Sequence, residues 1–125
     1  MSATRTIAMD FFAIFAFAVL ARAAHNTEAD PFTLTNILDT LWPFLIGGAI
    51  GHAICAGAKK DPLPVAPGGV IVWLATAATG LIIWALRNSA MPHWSFIIVA
   101  TVMSGLLLIG VRLLAKALFK ERTTA

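Results

Sequence analysis

Apolar residues in this chain fall into four long runs instead of short alternating stretches. They extend from about Ile7 to Ala24, Ile37 to Ala56, Gly69 to Leu86, and Trp94 to Phe119. A helix needs about 20 apolar residues to cross about 30 Å of hydrocarbon, and each run is near that length. The last is long enough to tilt or to emerge from the bilayer. Continuous apolar character, without a two-residue period, predicts helices and not the strands of a membrane barrel. The expected fold is therefore all-α: an integral membrane four-helix bundle forming one domain over 1–125. Its spans are placed at about 7–24, 37–56, 69–86 and 94–118. No internal repeat points to an inverted-repeat transporter.

The links between runs are short and rich in breakers. His25-Asn26-Thr27-Glu28-Ala29-Asp30-Pro31 is polar and acidic, and Thr35 or Asn36 is the expected cap of the second helix. Gly57-Ala58-Lys59-Lys60-Asp61-Pro62 ends that helix, and Pro62, Pro64 and Pro67 keep the next stretch extended. Arg87-Asn88-Ser89-Ala90-Met91-Pro92-His93 is a compact turn. Links this short make consecutive helices antiparallel neighbours.

Composition agrees with this threading. Of 125 residues, 59% are hydrophobic and 12% charged, and the mean hydropathy is +0.86. Soluble domains run at about 45–50% apolar and about 25% charged, and one this small buries only about 65–70% of its chain surface. A soluble globule, a disordered tail, a collagen repeat and a disulfide scaffold are all excluded. Cys55 is the single cysteine and reads as a small buried hydrophobe.

The net charge of +3 and pI near 9.6 report topology, not a nucleic-acid partner. One side holds Arg5, Lys59, Lys60, Lys116, Lys120 and Arg122; the other holds Arg22 and Arg87, near Glu28, Asp30 and Asp39. Cytoplasmic flanks carry the excess of Lys and Arg, so both termini are expected in the cytoplasm and the acidic loop outside a plasma membrane. Trp42, Trp84 and Trp94 fall near the expected outer boundary and Trp73 near the inner one. The amino-terminal run also has a cleaved-leader reading, because Ala21-Arg22-Ala23 imitates a small-x-small cleavage site. Asp10 inside the run and Arg22 inside the motif favour an uncleaved first span.

Ionisable groups within spans are costly and are the natural functional candidates. Asp10 on the first helix, His52 on the second and Arg112 on the fourth lie at comparable depth toward the inner side. Two readings apply: a proton or anion relay with His52 titrating and Asp10 as acceptor, or a satisfied Asp10–Arg112 pair that sets helix register while His52 donates to a backbone carbonyl. The satisfied pair is the expected one, with Arg112 also able to snorkel. A second set, Arg22, His25 and Asp39, gathers at the outer boundary, either as a site for a headgroup or ion or as an Arg22–Asp39 boundary pair. His93 beside Trp94 opens the fourth helix.

Three histidines in separate segments have no metal spacing, and no nucleophile elbow, phosphate loop or catalytic carboxylate pair is present. No catalytic residue, metal or cofactor is expected, and the protein reads as a non-enzyme. Gly47 with Gly51, Thr76 with Gly80, and Ala100 with Ser104 form small-xxx-small pairs, extended by Gly105 and Gly110, suited to close helix contacts.

In order, the chain carries Asp10, Ala21-Arg22-Ala23-Ala24-His25, Leu41-Trp42-Pro43-Phe44, Pro67-Gly68-Gly69-Val70-Ile71-Val72-Trp73, Thr79-Gly80, Phe96-Ile97-Ile98-Val99-Ala100-Thr101 and Arg112. From about Asp10 to Arg112 this series resembles the membrane proteins of actinobacteria and archaea grouped as domain of unknown function 3054. The resemblance implies four spans and no particular activity. The chain departs from the family pattern at Val111, where Trp is frequent, and at Trp84, where Arg is. The expected role is a non-enzymatic accessory or interaction subunit of a larger membrane assembly, with the lipid bilayer and a larger membrane protein or further copies of the chain as partners. The alternative is a small oligomeric transporter or channel using Arg22, His25 and Asp39 at the outer mouth and Asp10, His52 and Arg112 within.

Overall fold

The computed structural model describes residues 2–24, 28 and 31–124, with side chains as far as 118. The four runs are helices: α1 (Ala3–Ala24), α2 (Leu34–Gly57), α3 (Val70–Asn88) and α4 (Trp94–Thr124). Each contains a stretch long and apolar enough to cross a membrane. No strand occurs among the described residues. The helices pack as a ring in chain order, α4 closing against α1.

Local chemistry sets the helix ends. Ser2 starts α1, its Oγ accepting the Arg5 N–H at 3.2 Å and its carbonyl accepting the Thr6 hydroxyl at 3.0 Å. At α2 the cap is Thr33, earlier than the expected Thr35 or Asn36: its hydroxyl accepts the Asn36 N–H at 3.2 Å. Asn36 instead donates its side-chain amide back to the Pro31 carbonyl at 2.7 Å. Ser89 ends α3 in the left-handed region, its N–H donating to the Ala85 carbonyl. Between α2 and α3 the chain makes a tight irregular turn, Val65–Gly69, with Ala66 extended and the Gly69 N–H on the Pro64 carbonyl at 2.7 Å.

The α2–α3 seam is the closest in the bundle, and glycine makes it so. A Cβ on Gly47 would stand 2.7 Å from the Thr76 Cα, and one on Gly51 the same distance from the Val72 Cα. Both would meet backbone, which cannot step aside. Across the same seam Gly80 leaves room for the Phe44 ring. Phe44 in turn meets Phe17 edge to face, with centroids 4.9 Å apart. On α4, Gly105 receives the indole of Trp73, whose N–H donates to the Thr101 carbonyl at 2.8 Å. Trp73 is thus a bridge from α3 to α4, where sequence position suggested a boundary indole. Gly110 faces open space.

The core is a stack of side chains along the bundle axis, with Ile14, Phe17, Phe44, Val72, Ala100 and Leu108 nearly or fully enclosed. Large apolar residues such as Phe12, Leu86 and Ile82 point outward. That arrangement suits a surrounding hydrocarbon solvent, where outward apolar side chains cost nothing.

Candidate functional site

Polar chemistry collects at the two ends of the stack. At the end formed by the α2–α3 turn, Asp10, His52 and Arg112 meet, as their comparable depth predicted. Asp10 is fully enclosed, Arg112 is 2% exposed and His52 8%. Arg112 grips the carboxylate with both nitrogens, Nη1 to Oδ1 and Nη2 to Oδ2, each at 2.7 Å. Its remaining donors go to backbone oxygens: Nη1 to Leu108 at 2.9 Å, Nη2 to Pro62 at 2.8 Å, Nε to Pro62 at 3.0 Å. A guanidinium has five N–H groups, and these five contacts use all of them.

His52 Nε2 lies 2.7 Å from Asp10 Oδ2. An ionised carboxylate only accepts, so Nε2 carries the proton. The expectation that His52 would donate to a backbone carbonyl is therefore corrected. The snorkelling expected of Arg112 is absent too, because its head is drawn inward by a carboxylate and two carbonyls. Gly69 permits this approach: a Cβ there would lie 2.7 Å from Arg112 Cδ and 2.9 Å from Nε. Gly68 likewise lies flat against the Asp61-Pro62 backbone. The two glycines thus seat a carbonyl-bearing turn over the arginine. Cys55 is buried beside them, Sγ 3.9 Å from the Gly68 carbonyl oxygen.

At the other end the helices diverge around a cavity of about 590 Å³. Arg22 of α1 and Asp39 of α2 both line it, as the sequence suggested; His25 lies outside the described residues. Asp39 is bonded to Arg87 of α3, Nη2 to Oδ1 at 2.8 Å. Arg87 also lies over the Trp42 ring, 5.2 Å from its centroid. Pro43 accounts for part of this placement. A helical proline has no N–H for the carbonyl four residues earlier, here that of Asp39. Arg87 Nη1 approaches that same carbonyl, at 3.4 Å.

Arg87 was missed as a site residue, although antiparallel α2 and α3 put the start of one beside the end of the other. His93 and Ser95 were missed too. Ser95 donates its N–H to His93 Nδ1 at 3.2 Å, and its hydroxyl lies 2.7 Å from the same nitrogen. His93 therefore caps α4 while lining the cavity.

Between the two ends the stack is apolar. One helical turn separates Asp10 from Ile14, and one turn separates His52 from Gly48, where the Ile14 side chain rests. Phe17 and Phe44 fill the next layer, and Phe44 floors the cavity. Within this zone Thr76 is fully buried, and its hydroxyl has no hydrogen-bond partner among the described residues. No three His, Cys, Asp or Glu side chains gather as metal ligands among the described residues.

A family model described as a protein of unknown function, DUF3054, matches residues 7–115. The chain belongs to that family. No curated protein and no solved structure matches it. Within this DUF3054 chain, the matched segment includes Asp10, His52 and Arg112 as well as the residues lining the cavity.

Proposed function

We propose that this DUF3054 protein is a non-enzymatic accessory subunit of a larger assembly in the plasma membrane, with both termini cytoplasmic. One observation carries the reading: the buried ions neutralise and saturate one another. A conduit needs charges or dipoles left over for a passing solute. Here the five guanidinium N–H groups are all used within the chain, and Ile14, Phe17 and Phe44 close the section beyond. What such a bundle supplies is a rigid shape with apolar flanks, suited to docking beside another membrane protein. Crosslinking in native membranes followed by isolation in mild detergent tests this. A reproducible larger partner is expected; repeated recovery as a lone, partner-free species overturns the proposal.

The cavity at the Arg87 end favours a second reading, a small oligomeric transporter in which the Asp10–Arg112 end is the closed gate. Vesicles containing the purified protein would then show solute flux that Arg22→Ala and Asp10→Asn reduce. Equal flux with and without protein removes this reading.

A further inference from the structure

The cavity at the Arg87 end carries a pair of opposite charges that the accessory role does not use. Asp39 near the start of α2 and Arg87 near the end of α3 both line it. Their ion pair, 2.8 Å from Oδ1 to Nη2, leaves the side chains 55% and 39% exposed, and exposed pairs of this kind contribute little to folding. A second acceptor stands on the same aspartate. Pro43, also in the lining, has no N–H for the Asp39 carbonyl, and that oxygen receives instead the long 3.4 Å approach of Arg87 Nη1. Arg87 has a further support: its guanidinium lies over the Trp42 ring, 5.2 Å from the centroid, and keeps this seat when Asp39 lets go. The floor is the Phe44 ring packed against Gly80, and Trp84 forms part of the wall. Pockets of about 300–1,000 Å³ accept small organic molecules, and this one has about 590 Å³.

We infer that this cavity is a binding site for a zwitterion, a primary ammonium and an oxyanion joined by a short linker and carried on an apolar body. The ligand enters between the two side chains. Its ammonium has three N–H donors and meets two acceptors on one residue, the Asp39 carboxylate and the Asp39 carbonyl. Its oxyanion takes the Arg87 fork, which holds two oxygens at once. One ion pair is thus exchanged for two, in an alternating order of charge that leaves the net charge of the site as it was. No unpaired charge in the wall is needed. A simple anion or a simple cation gains nothing comparable, because it satisfies one partner of the pair and strands the other. Phe44 and Trp84 receive the apolar body. The same ammonium–oxyanion chemistry is found on free amino acids and on ethanolamine lipid headgroups. The cavity lies where the helices end, so both sources reach it.

The test uses the full chain in phosphatidylglycerol nanodiscs, whose lipid carries no ammonium. Tryptophan fluorescence is the readout, because Trp84 lines the cavity and Trp42 underlies Arg87. One arm titrates leucine and, separately, its two halves, isopentylamine and isocaproate. The other replaces part of the phosphatidylglycerol by phosphatidylethanolamine or, as a control of equal charge, by phosphatidylcholine, whose ammonium has no N–H. A saturable change with leucine, at least tenfold tighter than with either half, identifies a soluble zwitterion. A change with phosphatidylethanolamine alone identifies a lipid headgroup. In either case Asp39→Asn and Arg87→Gln each weaken zwitterion binding at least tenfold, and Lys59→Gln at the opposite end leaves it unchanged. The two variants also shift preference: Arg87→Gln binds isopentylamine more tightly than wild type does, and Asp39→Asn binds isocaproate more tightly, gains that misfolding cannot imitate. No response in either arm, a half that matches leucine, phosphatidylcholine that matches phosphatidylethanolamine, or indifference to both substitutions overturns the inference.

Discussion

Replacing Asp10 by Ala should be among the most destabilising single changes in the protein. The carboxylate neutralises a guanidinium that is 2% exposed, and it takes two of that group's five hydrogen bonds, both at 2.7 Å. Without it, Arg112 keeps the Leu108 and Pro62 carbonyls but holds an uncompensated charge away from water. His52 loses its acceptor as well. Removing one partner of a buried ion pair costs about 3–5 kcal/mol. That corresponds to about two to three and a half decades in the unfolding equilibrium, at about 1.4 kcal/mol per decade. Removing both charges, in Asp10→Leu with Arg112→Met, eliminates the stranded ion and should recover much of the loss, giving a coupling of about 2–3 kcal/mol. The assay is reversible unfolding in mixed micelles of a mild detergent and dodecyl sulfate, followed by tryptophan fluorescence for wild type, both singles and the double. A loss below about 1 kcal/mol for Asp10→Ala, or strictly additive singles, would refute the argument that this pair closes the bundle.

The same titration checks packing. Gly51→Ala places a methyl 2.7 Å from the Val72 Cα and should cost about 1–3 kcal/mol, whereas Gly110→Ala faces open space and should cost nothing measurable. Thr76→Val keeps the shape and removes a buried hydroxyl that has no partner among the described residues, so stability should rise by about 1 kcal/mol; a loss would show that the hydroxyl serves a bond made in the membrane. Cys55, fully enclosed, should resist maleimide in the folded protein and react once dodecyl sulfate opens the bundle. Labelling at the folded-state rate of a free thiol would place it on an accessible surface instead.

The four helices were legible because hydrocarbon imposes a simple rule: the length and continuity of the apolar runs alone fix them. The convergence of Asp10, His52 and Arg112 was legible for a related reason, since a charge in a span needs a partner at its own depth. What sequence reasoning lost was hydrogen-bond detail that depends on the turns. His52 prefers the Asp10 carboxylate to a backbone carbonyl, and Arg112 finds the Pro62 oxygen only because Gly68 and Gly69 let that turn lie flat. At the other end the Arg87–Asp39 pair was not anticipated, because the two residues lie far apart along the chain. The deciding signal was present in Pro43, which frees the Asp39 carbonyl, together with the antiparallel register of α2 and α3.

The ends of the bundle differ in how their charges are held, and this difference separates scaffold from working surface. At one end, a single guanidinium makes five contacts, four of them to α1 and the α2–α3 turn, far away in the chain, and one to its own helix. The two contacts to Asp10 are buried and the two to Pro62 partly so, and separating α4 from α1 and the turn breaks these four together. At the other end, the Arg87–Asp39 pair is 39% and 55% exposed at its side chains, and an exposed pair of this kind contributes about 0–1 kcal/mol. The Arg87–Asp39 pair therefore opens at little cost, while the helices remain tied at their far end. The cost of local opening is thus lower at the Arg87 end, while the Asp10–Arg112 end holds the helices in register.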